Sequence, residues 1–310
     1  MQLALPIFLA ALITVMFAPS TVHAASASQA TVFPWPAGTD TVIGENQITQ
    51  VGEGETLLDI AERYGLGFTD IRAANPALDP WIPAVGSKVI LPTRYILPST
   101  EWEGIVINLA EYRLFYFLPE REEIHTYPVG IGRGNTPTPQ GDMHISARIP
   151  NPTWYPPETI RRGWEASGQE VRWQIPAGPD NPLGPFAINL SAAGYLIHGT
   201  NQRFGIGAQT SAGCIRMNNW DIEALVNSTR IGVPVRIIDQ PTKIGVVDEQ
   251  LVLEVHEPVN DGQSNKTHTD VVYALSRLRR QNNLDGSQVD WSLVEQVFHR
   301  REGIVEVISH

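Results

Sequence analysis

The chain has one cysteine, Cys214, in the stretch "HGTNQRFGIGAQTSAGCIRM", sixteen residues after His198. A thiolate attacks acyl carbon readily, but a free thiol ionises only at about pH 8.5, so it needs a base or a favourable field. His198 is the histidine nearest in sequence, and the residues between the two are punctuated by glycine and free of proline. Such a segment can leave one strand end and fold back beside it, bringing the imidazole within hydrogen-bond reach of the sulfur. The other ring nitrogen then needs an orienting acceptor, either a side chain or a backbone carbonyl. Gly213 permits close backbone approach, which leaves the amides of Gly213 and Cys214 to hold an oxyanion. The planar fork of Arg216 suits a substrate carboxylate, and its plainer alternative is an ion pair with Asp221. A zinc site has little support, since neither HExxH nor CxxC occurs.

These residues need elements to hold them. "GYLIHGT" reads as a buried strand that ends at His198 and Gly199 and delivers a side chain to a rim. "NNWDIEALVNSTRIG" predicts a helix with Asn218 as N-cap, Asp221 in the first turn and Gly232 just past the end. "VPVRIID" is the following strand, and "GIVINLAEYRLFYFLP" and "EIHTYPVGIG" are strands around a turn at Pro119 and Glu120. Between them lie some eighty residues rich in Gly, Pro and Asn, such as "GNTPTPQGDMHISARIPNPTWYPP". Short strands joined by long shaped loops predict a mainly β domain, sandwich- or barrel-like, with one main helix.

A smaller unit precedes it. In residues 47–93 a short strand leads through a turn to Thr56, which caps a helix carrying Leu57, Ile60, Ala61 and Tyr64 on one face. "FTDIRAANP" is a second helix and "GSKVILP" a return strand, giving a βααβ order. Residues 25–46 read as a linker or loose strand. Residues 240–310 form an extension of unknown role, in which "LVLEVHEP" is an edge strand and "TDVVYALSRLRRQ" and "WSLVEQVFHRREGIVEVI" have helical spacing.

The formal charge of −11 over 310 residues argues against nucleic-acid binding, and an apolar content of 42% is ordinary for a globular protein. Residues 3–18 are almost wholly apolar, and no Lys, Arg, Asp or Glu precedes Asp40. That run is short against the roughly 20 residues of a membrane span. It is followed by "VHA", so residues 1–24 are expected to be a cleaved signal peptide that exports the chain to the periplasm. The runner-up, favoured by the lack of Lys or Arg in the leader, is an uncleaved anchor. A single cysteine excludes an intramolecular disulfide.

"GEGETLLDIAERYG", "IRAANP" and "VGSKVILP" together resemble a LysM domain, which implies binding to the N-acetylglucosamine-containing glycan strands of peptidoglycan. "HGTNQRFGIGAQTSAGCIRMNNWDIEAL", with "GIGRGNTPTPQG" and "PAGPDNPLG" upstream, resembles the L,D-transpeptidase (YkuD) catalytic domain over residues 102–239. That resemblance implies Cys214 as nucleophile, His198 as general base and acid, and the Gly199 carbonyl as the element orienting His198. It also implies Gly213 as a backbone oxyanion donor. Arg216, Ser211 and Arg203 are expected near substrate, Ser211 also as loop support and Arg203 as part of a positive patch or as a solvated loop residue. Many relatives have His where this chain has Ala212. The implied reaction is acyl transfer from a peptidoglycan tetrapeptide stem to an amine, of a second stem or of an outer-membrane lipoprotein, with no metal or organic cofactor. The alternatives are an L,D-carboxypeptidase, a papain-like cell-wall endopeptidase using His256 after Cys214, or a non-catalytic glycan-binding wall protein.

Overall fold

Residues 104–118 are apolar nearly throughout, as in Ile105-Val106-Ile107 and Leu114-Phe115-Tyr116-Phe117, which builds strands buried on both faces of a sheet. The computed structural model describes residues 31–259 and 289–309, together with Val272 and Ser276. The expected signal peptide therefore lies outside the described residues, as does most of "TDVVYALSRLRRQ". No described helix is long and apolar enough to cross a membrane.

The chain opens with β1 (Thr31–Pro34) and β2 (Val42–Gly44), then β3 (Gln47–Gln50), α1 (Leu57–Arg63), α2 (Phe68–Ala74), β4 (Lys88–Leu91) and β5 (Arg94–Ile96). The larger unit runs through β6 (Gly104–Asn108), β7 (Arg113–Leu118), β8 (Glu123–Pro128), β9 (Ile131–Gly132), β10 (Gly141–Pro150) and α3 (Glu158–Ala166). It continues with β11 (Phe186–Leu190), β12 (Leu196–His198), β13 (Gln209–Ser211), β14 (Ile215–Arg216), α4 (Asn219–Ser228) and β15 (Pro234–Ile238). The C-terminal part comprises β16 (Thr242–Val247), β17 (Gln250–Val255), α5 (Trp291–Arg300) and β18 (Glu306–Val307).

Nine strands form one curled, half-barrel sheet in the order β1-β8-β7-β6-β15-β10-β11-β12-β14. Ile105, Ile107, Leu114 and Tyr116 face one core with Ile222 and Leu225 of α4, while Val106, Phe115 and Phe117 face a second core with Ile43, Tyr95 and Ile124. The protein is thus mainly β, as the strand pattern predicts. Asn218 is the N-cap of α4, though its side chain bonds Asp221 at 3.0 Å rather than the helix amides. The helix ends at Thr229, short of Gly232.

Two sequence expectations are corrected. Residues 25–46 are not simply a linker: β1 pairs with β8 from Thr31↔Thr126 to Pro34↔Glu123, and β2 pairs with β5. Phe33 and Trp35 pack on the second core, and that apolar burial outweighs the Pro- and Gly-rich texture around them. The Pro-rich stretch after β10 also contains a helix, α3, among residues expected to be loop.

In the small unit Thr56 and Asp59 form a reciprocal capping box at α1, with Asp59 N–H donating to Thr56 Oγ1 at 3.2 Å and Thr56 N–H to Asp59 Oδ2 at 2.9 Å. Leu57, Ile60, Ile71, Val89 and Leu91 fill its core. The C-terminal strands and α5 build another core around Val246, Leu253, Val294 and Ile308.

A buried ionic cluster ties these units together. Lys243 Nζ lies 2.6 Å from Glu111 Oε2, 3.0 Å from Glu254 Oε1 and 2.7 Å from the Ile96 carbonyl. Glu254 also accepts the Ile96 N–H at 2.8 Å and meets His256 Nε2 at 2.6 Å. Burial opposes the charge on Glu254, but the Lys243 ammonium and His256 more than offset it and hold the carboxyl below its usual range. Glu111, Glu254 and His256 are spaced like metal ligands, yet the ammonium already supplies their cation. Replacing Lys243 by Met leaves two buried carboxylates without it. Urea unfolding of Lys243→Met is expected to show a loss of about 3–5 kcal/mol, and an unchanged midpoint would refute this role.

Candidate active site

His198 is the last residue of β12, a strand whose Ile197 is fully buried. It pairs in parallel with β14 in the register Ile197↔Ile215 and His198↔Arg216, and Met217 N–H donates to the His198 carbonyl at 2.8 Å. Cys214 immediately precedes β14, so this one ladder fixes both residues. They line a common cleft of about 650 Å³, together with Arg216, Ser211 and Ala212.

His198 Nδ1 lies 2.6 Å from the Gly199 carbonyl oxygen. A carbonyl only accepts, so Nδ1 carries the proton and Nε2 keeps its lone pair. The ring is 5% exposed, and burial pushes its pKa down to about 4; the Gly199 hydrogen bond favours the cation and the Arg216 guanidinium opposes it. Asn219 Oδ1 fixes the next turn by accepting the Thr200 N–H at 2.9 Å.

Cys214 is the free thiol and is half-buried, with Sγ 3.8 Å from the Gly194 carbonyl oxygen. Burial pushes its pKa up, against a backbone hydrogen bond from Leu196 and the nearby Arg216 charge, which favour the thiolate. Burial thus favours the protonated thiol and the neutral imidazole in the one cleft that both residues line.

The turn before Cys214 is held from both sides. Gly213 adopts a φ of +108°, and a Cβ there would meet Tyr195 Cε1 at 3.0 Å. Its N–H donates to Ser211 Oγ at 3.1 Å, and the Ser211 hydroxyl donates to the Cys214 carbonyl at 2.5 Å. The Gly213 amide is thus committed within the turn, which corrects its expected place as an oxyanion donor. Ser211 is 2% exposed and its hydroxyl staples the turn instead of facing substrate. Thr138 holds the opposite side: its hydroxyl accepts the Gly132 N–H at 2.9 Å and donates to the Gly213 carbonyl at 2.9 Å.

Arg216 Nη1 donates to Thr210 Oγ1 at 3.2 Å, while its buried Nε has no hydrogen-bond partner. It forms no ion pair among the described residues, and Asp221, its plainer expected partner, bonds Asn218 instead. Arg203 is not a lining residue of the cleft: it bonds Glu62 and Asp59 of α1, which corrects its expected place beside substrate. His256 belongs to the Lys243 cluster and not to the Cys214 cleft, so the papain-like arrangement has no support.

Other lining residues gave no signal as chemistry-bearing groups. Pro152, Thr153, Trp154, Tyr155, Pro157 and Ile160 form an apolar wall over the cleft. Trp154 and Ile175 exchange backbone hydrogen bonds of 2.8 Å each. Asn181 ties this arm down, donating to the carbonyls of Pro152 at 2.8 Å and Ile175 and Pro176 at 3.1 Å each. The available signal was "PAGPDNPLG": an asparagine between prolines marks a side chain that bonds backbone where proline cannot donate.

The L,D-transpeptidase catalytic domain matches residues 103–237, and the LysM domain matches residues 49–92. The chain is 37% identical to "Probable L,D-transpeptidase YcfS" of Escherichia coli, covering 91% of this chain and 90% of that one. It is 36% identical to "Probable L,D-transpeptidase ErfK/SrfK" of Salmonella typhimurium, over 91% of this chain and 92% of that one. It is 32% identical to "Probable L,D-transpeptidase YbiS" of Escherichia coli, over 90% and 92% respectively. With this similarity along nearly its whole length, the chain belongs to the L,D-transpeptidase family and carries a LysM domain ahead of its catalytic domain.

Proposed function

We propose that the protein is a cysteine-dependent acyltransferase acting on peptidoglycan tetrapeptide stems outside the cytoplasm. The observation that carries this is the tautomer of His198: with Nδ1 bound to Gly199, Nε2 is a free base in the cleft that holds the Cys214 thiol.

Nε2 takes the thiol proton as Sγ attacks the carbonyl of the third stem residue. Negative charge moves onto that oxygen, and the Cys214 amide donates to it. Collapse breaks the bond to the terminal D-alanine, whose amine receives the proton from His198, leaving a thioester on Cys214. An amine then attacks the thioester, passes its proton to His198 and restores the thiol. A second stem as acceptor gives a crosslink, and a lipoprotein lysine gives an anchored protein. Arg216, uncommitted to any acid, faces the carboxylates of the stem. The LysM domain holds the glycan strands, and the apolar arm over the cleft limits water at the thioester.

Incubation with a disaccharide-tetrapeptide followed by mass spectrometry is expected to yield a crosslinked dimer, with Cys214→Ala giving none. Tripeptide without dimer would favour the carboxypeptidase reading, and an unchanged substrate would overturn acyl transfer.

The neutral resting pair predicts a distinctive pH response. Because the imidazole protonates only at about 4, kcat/KM should hold down to mildly acidic pH before His198 takes up a proton. Because the thiol pKa is raised, alkylation of Cys214 by iodoacetamide should keep climbing through alkaline pH. A plateau already reached below about pH 6, as in a preformed thiolate–imidazolium pair, would contradict this account.

Thr138 acts through the peptide between Gly213 and Cys214. Thr138→Val should lower kcat by about tenfold with little change in KM, and Thr138→Ser should restore most of the loss. Equal loss in both variants would show that the hydroxyl is not what positions the peptide.

A further inference from the structure

The LysM domain rests on the loop that joins His198 to Cys214. Arg203 Nε lies 2.7 Å from Glu62 Oε1, and its Nη2 lies 2.6 Å from Glu62 Oε2 and 2.8 Å from Asp59 Oδ1. Both acids belong to α1 of the LysM domain. The first two amides of α2, at Phe68 and Thr69, donate to the carbonyls of Ile206 and Gly207 at 3.3 and 3.2 Å. The N-cap of α2 is Gly67, which has no side chain to satisfy those donors, so loop carbonyls meet part of the helix's own capping need. Trp81 stacks on Phe68 with ring centroids 5.2 Å apart and meets Phe204 of the loop edge-on at 5.7 Å.

The two backbones touch at a glycine pair. A Cβ on Gly207, whose φ is +73°, would lie 2.4 Å from Gly67 Cα, and a Cβ on Gly67 would lie 2.9 Å from Gly207 Cα. On its other side the same loop meets the catalytic sheet. Gly207 N–H donates to the Val129 carbonyl at 3.1 Å, and Ile131 N–H donates to the Ala208 carbonyl at 3.0 Å. Gly205 packs against Arg216, since a Cβ there would lie 3.2 Å from Nη1. Thr210, which receives Arg216 Nη1, is also in that contact shell.

We propose that the LysM domain is a brace for the catalytic loop, with Arg203 and Gly67 as positioning residues that act through residues 204–210 on Arg216 and Cys214. This rests on the acyl-transfer reading above and adds to it. A glycan tether only raises the local concentration of stems, whereas a brace sets the geometry of every turnover, including turnover of stems that carry no glycan. An exposed ion pair contributes little to stability by itself. What Arg203 contributes is the placement of the loop, held together with two amide hydrogen bonds and a backbone contact that admits no side chain.

The test uses the full chain and a glycan-free tetrapeptide stem. Gly67→Ala changes no residue of the catalytic domain, yet its methyl group would press on Gly207 Cα at 2.9 Å, with Asp70 Oδ2 of its own domain at 3.0 Å, and the Gly67 backbone has no positive φ to forbid it. Gly67→Ala and Arg203→Ala are each expected to lower kcat on that stem by about tenfold, as a displaced site would, and to change the iodoacetamide rate at Cys214. Retained sacculus binding should show that the LysM domain is intact. Pairing Arg203→Glu with Glu62→Arg should recover part of the loss. Wild-type kcat and wild-type alkylation in Gly67→Ala and Arg203→Ala, with loss on intact sacculi alone, would overturn the brace and leave a tether. If the wild type itself left the stem untouched, the acyl-transfer reading would fail, and the alkylation rates would still decide whether the brace acts.

Discussion

The parallel pairing of β12 with β14 is the constraint on which the site depends. Two parallel neighbours cannot be joined by a tight turn; the chain must travel back along the sheet, which takes about a dozen residues or more. The fifteen residues between His198 and Cys214 are that return path. Once the register His198↔Arg216 is set, the imidazole and the thiol emerge at the same rim. The Gly199 carbonyl, 2.6 Å from His198 Nδ1, then sets the ring's orientation at that rim. The loop between them need only return the chain in register, and its remaining surface is free to meet other parts of the protein.

Burial sets the chemistry of that rim. Taking His198 and Cys214 out of water penalises both of their charged forms, so the imidazole is held neutral and the thiol protonated. In the acyl-transfer reading proposed above, such a pair keeps its proton on sulfur until an acyl carbon is there to accept the electron pair. For a chain with one thiol and no disulfide partner for it, a protonated resting sulfur is also the less reactive state.

Periodicity and local chemistry made much of this legible. The near-continuous apolar run of residues 104–118, the Thr56 cap and the strand ending at His198 each follow from short-range rules, and the structure contains all three. The Cys–His spacing alone was compatible with a buried structural thiol, and the resemblance of the whole stretch from His198 to Leu225 to the L,D-transpeptidase catalytic domain is what pointed to acyl chemistry. What stayed hidden depends on contacts distant in sequence. Phe33 and Trp35 looked like linker residues because nothing local reveals the sheet edge they cover. Arg203 looked like a substrate cation, and its actual partners lie more than a hundred residues away in α1. Gly213 was read as an oxyanion donor because no local rule says that Ser211, two residues before it, turns back to take its N–H. Thr138 had no visible role until β9 and the Cys214 turn were seen to share its hydroxyl.

The same logic explains how separate units combine into one working body. Arg113 is almost fully buried in the catalytic sheet, with its guanidinium 4.3 Å over the Tyr95 ring and a hydrogen bond of 3.3 Å to the Gly65 carbonyl of the LysM domain. It lies 3.7 Å from Asp70 of α2, and burial raises that carboxyl to about 6 despite the nearby guanidinium. A buried cation with so few formal partners is an expensive way to gain stability. It is an effective way to fix one orientation, because a shift of the LysM domain would take away the Gly65 carbonyl and the Asp70 carboxylate and leave the guanidinium only Thr126 Oγ1 at 3.3 Å. The Lys243 cluster does the same at the C-terminal strands, where the ammonium is shared between Glu111 of the catalytic domain and Glu254 of β17. With Arg113 held between Gly65 and Asp70, the LysM domain is seated on the sheet where α1 and α2 meet the His198–Cys214 loop.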